Sequence, residues 1–353
     1  MSDKKLSVAF IGTGIMGAPI AGHILDAGYP VTVYNRTKAK TDDLVSRGAV
    51  WADSPAAAAK DADVVFTMVG YPADVEEIYL SGDGLLAAAK PGTYLIDLTT
   101  SAPELARDIA EAAETYGKHA FDCPVTGGDT GAIAGTLTLI VGARTRHSSP
   151  FATSSRRSPP RLLLGGPGKG QAAKLANQVA LSSCMVGMAD ALSFAQQMGL
   201  DLAETREMIL GGTGRSGAME QLAPKSLDGD WKPGFMVTHF LKDLRLALAA
   251  AEEKELALPG ADTAFTLYDM LDAIGGSKLG TQAITLLYQE EADAVAAGLD
   301  WSLYNPPVHD EGEHECGCGH HHEDGHECCG GHGDHHGHHE GGCCCGAHGH
   351  DAE

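Results

Sequence analysis

The chain has 353 residues, 43% of them apolar, which is enough for two domains with real cores. Its net charge of −22 argues against nucleic acid or an anionic membrane surface as partner, no run approaches the ~18 uninterrupted apolar residues of a membrane span, and the polar start MSDKK is not a signal peptide. Only Cys123 and Cys184 of the nine cysteines lie before the last forty residues; that is no disulfide framework, and a reducing cytoplasm is the expected compartment.

Residues 6–11 form a short apolar run with β-branched character, followed at once by Gly12-Thr13-Gly14-Ile15-Met16-Gly17. A helical pattern then runs to Gly28, and residues 31–34 read as the next strand. Strand, G-x-G-x-x-G, helix and strand within about thirty residues predict a dinucleotide-binding Rossmann unit. Gly12 permits the tight turn, Gly14 lets a pyrophosphate approach the backbone, and Gly17 lets helix and strand pack closely. Thr13, Ile15 and Met16 complete the cofactor loop, and the helix N-terminus offers N–H groups to the phosphates.

The second strand ends in Asn35-Arg36-Thr37, where an NAD enzyme usually places an acid on the ribose diol. No carboxylate is present there to repel a 2′-phosphate. Arg36 can pair with that phosphate or stack on adenine, so NADP is favoured over NAD, with NAD still possible. A solvated surface role for Arg36 is the alternative.

Strands recur at residues 64–69 and 94–97, with helical patterns between them and from 103 to 116. Val69-Gly70 and Thr99-Thr100-Ser101 then fall at strand C-terminal ends, where a parallel sheet presents its ligand loops. Thr126-Gly127-Gly128 offers a hydroxyl and exposed N–H groups, a small nest suited to a carboxylate, or else an ordinary glycine turn. Beyond Val141 the pattern fails. Residues 144–161 are rich in Arg, Ser and Pro without amphipathic periodicity, as two compensating shifts of reading frame would produce. This stretch is expected to be poorly ordered and to leave one flank of the sheet under-covered.

Residues 168–198 are free of proline and carry Ala172, Ala173, Leu175, Ala176, Val179 and Ala180 at helical spacing. Such a helix would run over ~40 Å, longer than one compact domain needs, and reads as a spine shared by two halves. Lys174 sits in its early turns among alanines. It either snorkels to solvent or faces a cleft as a catalytic group. Residues 200–210, 236–256, 261–273 and 282–296 read as amphipathic helices. Ser216, at the end of a glycine-rich loop, reads as a helix cap.

Four stretches, FIGTGIMGAPIAGHILDAGYPVTVYNRT, DCPVTGGDTGAIAGTLTLIVGA, GKGQAAKLANQ and HFLKDLRLALAAA, together resemble the β-hydroxyacid dehydrogenases. The resemblance covers roughly residues 5 to 295 and is specific, with four motifs in the right order. It implies an α/β Rossmann domain with a mostly parallel sheet (residues 1–166), joined by the long helix to an all-α C-terminal domain (167–304) that mediates dimers or tetramers. It places the catalytic lysine at Lys174 and the carboxylate-binding Ser-Gly-Gly at Thr126-Gly127-Gly128, where threonine keeps the hydroxyl and adds a methyl. The amide partner one turn on would be Asn177, with Gln178 the alternative. Lys242 would lie near the nicotinamide end of the cofactor and the substrate, Thr100 would touch the cofactor, and Ser216 would lie near the substrate. The expected activity is NAD(P)-dependent interconversion of a short β-hydroxyacid and its semialdehyde, with Lys174 as general acid or base.

Asn305-Pro306-Pro307 closes the globular part. Residues 309–353 hold thirteen of the seventeen histidines and eleven acids. They include His320-His321-His322, Cys328-Cys329 and Cys343-Cys344-Cys345. Such a composition cannot build a core and should be disordered without metal. Its ligand types suit zinc, nickel or copper, and its irregular spacing suits a multi-ion sponge, outside the catalytic site, rather than one closed centre. An inert tail is one alternative. Another is a metal-binding protein that uses the dehydrogenase fold as a carrier.

Overall fold

The computed structural model describes residues 5–144 and 161–304. Most of the anomalous stretch (residues 145–160) and the whole His/Cys-rich segment, including His320, His321, His322, Cys328, Cys329, Cys343, Cys344 and Cys345, lie outside the described residues.

Among the described residues the sheet has nine strands. Strand β1 (Val8–Ile11) is buried at every position, as expected for an apolar run covered on both faces. Around it lie β2 (Val31–Tyr34), β3 (Val50–Trp51), β4 (Val64–Thr67), β5 (Tyr94–Asp97) and β6 (His119–Asp122) in the order 3-2-1-4-5-6, all parallel. The direction of strand order reverses between β1 and β4, and in such sheets the ligand crevice forms at that switch point. Beyond β6, β7 (Val125–Thr126) and β8 (Thr138–Gly142) run antiparallel, and β9 (Arg161–Gly165) pairs with β8 in parallel. The last residue of the anomalous stretch thus opens a strand.

Helix α1 (Gly17–Asp26) follows β1. The short helices α2 (Asp42–Ser46) and α3 (Pro55–Ala59) come next, then α4 (Pro72–Leu80), α5 (Leu85–Ala88), α6 (Pro103–Thr115) and α7 (Gly128–Ala134). One core lies on the face of Phe10, Val33 and Phe121, and a second on the face of Ile11, Val65 and Leu95.

The spine is α8 (Lys169–Gln197), 29 residues long, or about 43 Å. Its early turns bury Gln171, Lys174, Gln178 and Ser182, and its later turns bury Met185, Met188 and Leu192. By length and hydropathy, 1.2 over its best window, α8 could pass for a membrane span. Buried Gln171 and Gln178 in its first half, bonded to Ser101, Thr99 and Asp243 elsewhere in the fold, mark it as a core helix.

The C-terminal half follows as α9 (Leu202–Leu210), α10 (Gly217–Gln221), α11 (Ala223–Leu227), α12 (Val237–Glu252), α13 (Pro259–Ala273) and α14 (Glu291–Ala296). Its core joins Met188 and Leu192 of the spine to Phe240, Leu244, Tyr268 and Ile274. One expectation needs correction. Residues 282–296 are no single amphipathic helix: Thr281–Tyr288 is a 3-10 run, separated from α14 by extended backbone at Gln289 and Glu290. Six consecutive residues from Thr281 are buried, so the segment has no solvent stripe to set a helical period.

Candidate active site

The dinucleotide end of the site is built from the β1–α1 turn. Gly12 has φ +95°, and a Cβ there would overlap the Met68 carbonyl oxygen. A Cβ on Gly17 would overlap the Gly12 carbonyl, whereas Gly14 has nothing within 4 Å of its Cβ position. Packing therefore demands glycine at positions 12 and 17, while Gly14 opens onto the cleft as a cradle that a phosphate fits. No side chain caps α1; the Ala18 N–H meets the Gly14 carbonyl at 3.0 Å, and the uncapped start of the helix before it suits an anion.

Thr13 departs from the expected pattern. Its hydroxyl is buried and donates to the Lys40 carbonyl at 3.0 Å. Its N–H donates to Asn35 Oδ1, also at 3.0 Å, so this pair ties the loop to the end of β2. Asn35, Arg36 and Thr37 line the cleft. Arg36 is 88% exposed at its side chain, and its Nη1 lies 3.6 Å from Asp74 Oδ1. A carboxylate does therefore stand near the adenosine end. It comes from the first turn of α4, where it also accepts the Tyr71 N–H at 3.0 Å, and nothing in the sequence around residue 36 announces it.

The loops after β4 and β5 form the next part. Thr99 Oγ1 accepts the Val69 N–H at 3.0 Å. Asp97, buried beneath, accepts the Thr99 N–H at 3.0 Å and the Thr67 hydroxyl at 2.8 Å. Burial raises its carboxyl to about 6, and the bonds from Thr99 and Thr67 oppose the shift. Lys242 reaches across from α12, donates to the Thr100 carbonyl at 2.5 Å and pairs with Asp243 Oδ1 at 2.8 Å.

Lys174 lies 8% exposed in the same cleft. Its Nζ donates to Gln178 Oε1 at 2.9 Å, and Asn177 Nδ2 donates to that same oxygen at 2.9 Å. Gln178 Nε2 in turn donates to Asp243 Oδ2 at 2.6 Å. Of the two candidate amides, Gln178 is therefore the one in contact with the lysine, and Asn177 sits behind the shared oxygen. Burial pushes the Lys174 ammonium down to about 8; Asp243 opposes that shift and Lys242 adds to it.

The cleft has a volume of about 1440 Å³ and is lined jointly by the glycine loop, Val69, Gly70, Thr100, Thr126, Gly127, Gly128, Lys174, Asn177 and Lys242. Gly127 and Gly128 have φ of +129° and +66° and lead into α7. Ser216 caps α10 by accepting the Met219 N–H at 3.1 Å, and its neighbours Gly217 and Ala218 line the cleft instead. Sequence reasoning missed His239 and Asp129, both on the cleft wall. His239 meets the Tyr71 ring edge-on at 5.8 Å, and burial, then Lys242, holds its imidazole below the usual histidine value. Its position one turn before Lys242 on α12 was the available signal. Among the described residues no group of His, Cys, Asp and Glu is arranged to hold a metal ion.

Residues 7–151 match the model for the NAD-binding domain of 6-phosphogluconate dehydrogenase. Residues 168–288 match the model described as NAD-binding of NADP-dependent 3-hydroxyisobutyrate dehydrogenase. The chain belongs to the β-hydroxyacid dehydrogenase family. It is similar to an uncharacterized oxidoreductase of Bacillus subtilis, 43% identical over 80% of this chain and 99% of that relative. A probable mitochondrial 3-hydroxyisobutyrate dehydrogenase-like protein of Arabidopsis thaliana is 42% identical over 81% of this chain and 86% of its own length. Among solved structures, Mycobacterium tuberculosis 3-hydroxyisobutyrate dehydrogenase with L-serine superposes with a TM-score of 0.72 at 29% identity, covering 81% of this chain and all of the other. Psf3 in complex with NADP+ and 2-OPP gives the same score at 30% identity, covering 80% of this chain and all of its own. This β-hydroxyacid dehydrogenase is thus an NAD(P)-dependent oxidoreductase.

Proposed function

We propose that the enzyme interconverts a short β-hydroxyacid and its semialdehyde, with Lys174 as general acid and base. The observation that carries this reading is a buried ammonium, held at about 8, in one cleft with both the dinucleotide loop and the Thr126-Gly127-Gly128 nest. A nicotinamide cofactor, held by the Gly12–Gly17 loop, would supply the hydride acceptor or donor. In oxidation the neutral Lys174 amine takes the substrate hydroxyl proton; in reduction the ammonium polarises the aldehyde oxygen and donates that proton. The Thr126 hydroxyl and the Gly127 and Gly128 N–H groups hold the substrate carboxylate. Gln178, oriented by Asp243, fixes the Lys174 amine in place, and Lys242 closes the nicotinamide side through the Thr100 carbonyl.

Similarity to 3-hydroxyisobutyrate dehydrogenases, one of them solved with L-serine, supports the substrate class, because 3-hydroxyisobutyrate and L-serine are both three-carbon-chain acids with a hydroxyl at the β carbon. NADP is preferred over NAD in this reading through Arg36, with Asp74 partly offsetting its charge. A second copy of the chain is the expected oligomeric partner, and it would cover the exposed Phe194 and Met198 at the end of the spine. Steady-state kinetics on a panel of β-hydroxyacids and semialdehydes with both cofactors tests the assignment. Turnover confined to substrates without a β-hydroxyl or aldehyde would refute it.

A further inference from the structure

The geometry points to Asp122 and Gln171 as positioning residues that fix Lys174 between the substrate nest and the cofactor loop. The inference rests on the role proposed for Lys174. Asp122 is the last residue of β6, and its carboxylate is buried. One oxygen, Oδ1, accepts the Gly168 N–H at 2.9 Å; the other, Oδ2, accepts the Gln171 N–H at 2.8 Å. The spine has no cap of its own, since Gly168 stands at its start with φ +82°. A remote acid therefore fills the first turn of the longest helix, where the helix dipole favours a negative charge.

The surroundings are shaped for this contact. A Cβ on Gly142 would overlap the Asp122 carboxylate, and one on Gly170 would lie 2.8 Å from its Oδ2. The acid is thus packed between glycine backbones and cannot swing aside. Four residues further along the chain comes Thr126, the start of the nest. The position of β6 therefore sets the nest and the helix start together.

Gln171 completes the junction. It is fully buried; its Oε1 accepts the Ser101 N–H at 2.9 Å and its Nε2 donates to the Thr99 carbonyl at 2.7 Å. Both partners belong to the loop whose middle residue, Thr100, receives Lys242. Asp97 holds the same loop from below and is the register partner of Asp122 in the sheet. Gln171 and Lys174 are three residues apart on one helix, so they share a face. One helical turn is therefore bonded to the ends of β5 and β6, and Lys174 projects from the next turn. A shift of about 1 Å in such an arrangement can lower a rate ~10²-fold.

Gln171→Met preserves side-chain length while leaving the Ser101 N–H and the Thr99 carbonyl without their partner. Asp122→Asn preserves shape while setting an amide donor against a backbone donor. Two readouts are needed for each variant: kcat against KM, and the pH midpoint for amine-reactive labelling of Lys174 in cofactor-free protein. Positioning predicts kcat lowered ~30-fold or more with KM changed far less. It also predicts a labelling midpoint that moves from about 8 towards the ordinary lysine value of 10.5 as water reaches the amine. A variant that folds and keeps both kcat and midpoint overturns the proposal. A loss of kcat matched by the unfolded fraction in a thermal melt, with the midpoint unmoved, also overturns it. Failure of both variants to fold would assign the two residues a purely structural role. Should the wild type turn over no β-hydroxyacid, the functional reading falls, and the labelling midpoint still decides the positioning.

Discussion

Lys174 Nζ lies 2.9 Å from Gln178 Oε1, one turn further along the same helix. Four residues separate them, so the two side chains stack on the spine's buried face, with Gln178 steadied by Asp243. The ammonium is thereby held by a neutral carbonyl oxygen instead of a carboxylate. A direct ion pair would raise its proton affinity; this contact leaves burial in control.

Replacing the lysine should separate chemistry from binding. Lys174→Ala is expected to lower kcat by ~10² or more while cofactor affinity stays nearly intact. Rapid-quench or steady-state turnover beside fluorescence titration of NADPH measures both. An unchanged kcat would remove Lys174 from the mechanism.

The depressed value of about 8 also sets the pH dependence. Oxidation needs the neutral amine, so its rate should climb to a plateau above pH 8. Reduction needs the ammonium and should fall about tenfold per unit above that point. Between pH 8 and 10.5 the unfolded chain holds more of this proton than the native one, so the residue's contribution to stability rises across that window. Opposed pH profiles in the two directions check the assignment, and parallel ones contradict it.

The glycine loop offers a test of which glycines serve packing and which serve a ligand. Gly17→Ala should destabilise the fold, because its methyl meets the Gly12 carbonyl. Gly14→Ala meets no atom within 4 Å, so its melting temperature should stay within a few degrees of wild type. Its cofactor binding should nevertheless weaken about tenfold or more, since the methyl enters the phosphate cradle. Tight NADPH binding by Gly14→Ala would mean that the phosphates lie elsewhere.

At the adenosine end, Arg36→Asp should weaken NADPH and favour NADH. Asp74→Asn should do the opposite by freeing the guanidinium 3.6 Å away, while its amide oxygen still accepts the Tyr71 N–H. Dissociation constants for both cofactors across the two variants decide this. A wild type that prefers NADH would reverse the assignment.

Deleting residues 308–353 should abolish most divalent-metal binding and leave hydride transfer unaltered. The described residues offer no metal cluster, whereas the deleted segment holds thirteen histidines and seven cysteines. Calorimetric titration with Ni²⁺ and Zn²⁺ on both proteins measures it, and equal binding by the truncated form would contradict the expectation.

The sequence by itself determined whatever depends on local backbone demands. The turn at Gly12 and the close approach at Gly17 are properties of consecutive residues, so they mark the β1–α1 unit without reference to the rest of the chain. The spine was equally visible, because a long proline-free run of small and apolar residues has few other uses. Lys174 stood out as a cation that such a helix would have reason to avoid. Tertiary packing decided the rest. The Asp74 carboxylate reaches Arg36, and the Lys242 ammonium reaches a carbonyl 142 residues away. Asp122 caps the spine through the N–H of Gly168, 46 residues further along the chain. The 3-10 run Thr281–Tyr288 was hidden for a related reason: a segment buried on all sides shows no periodic stripe. Composition and spacing report which face of an element seeks water, but polar partners distant in the chain meet only once the layers have packed.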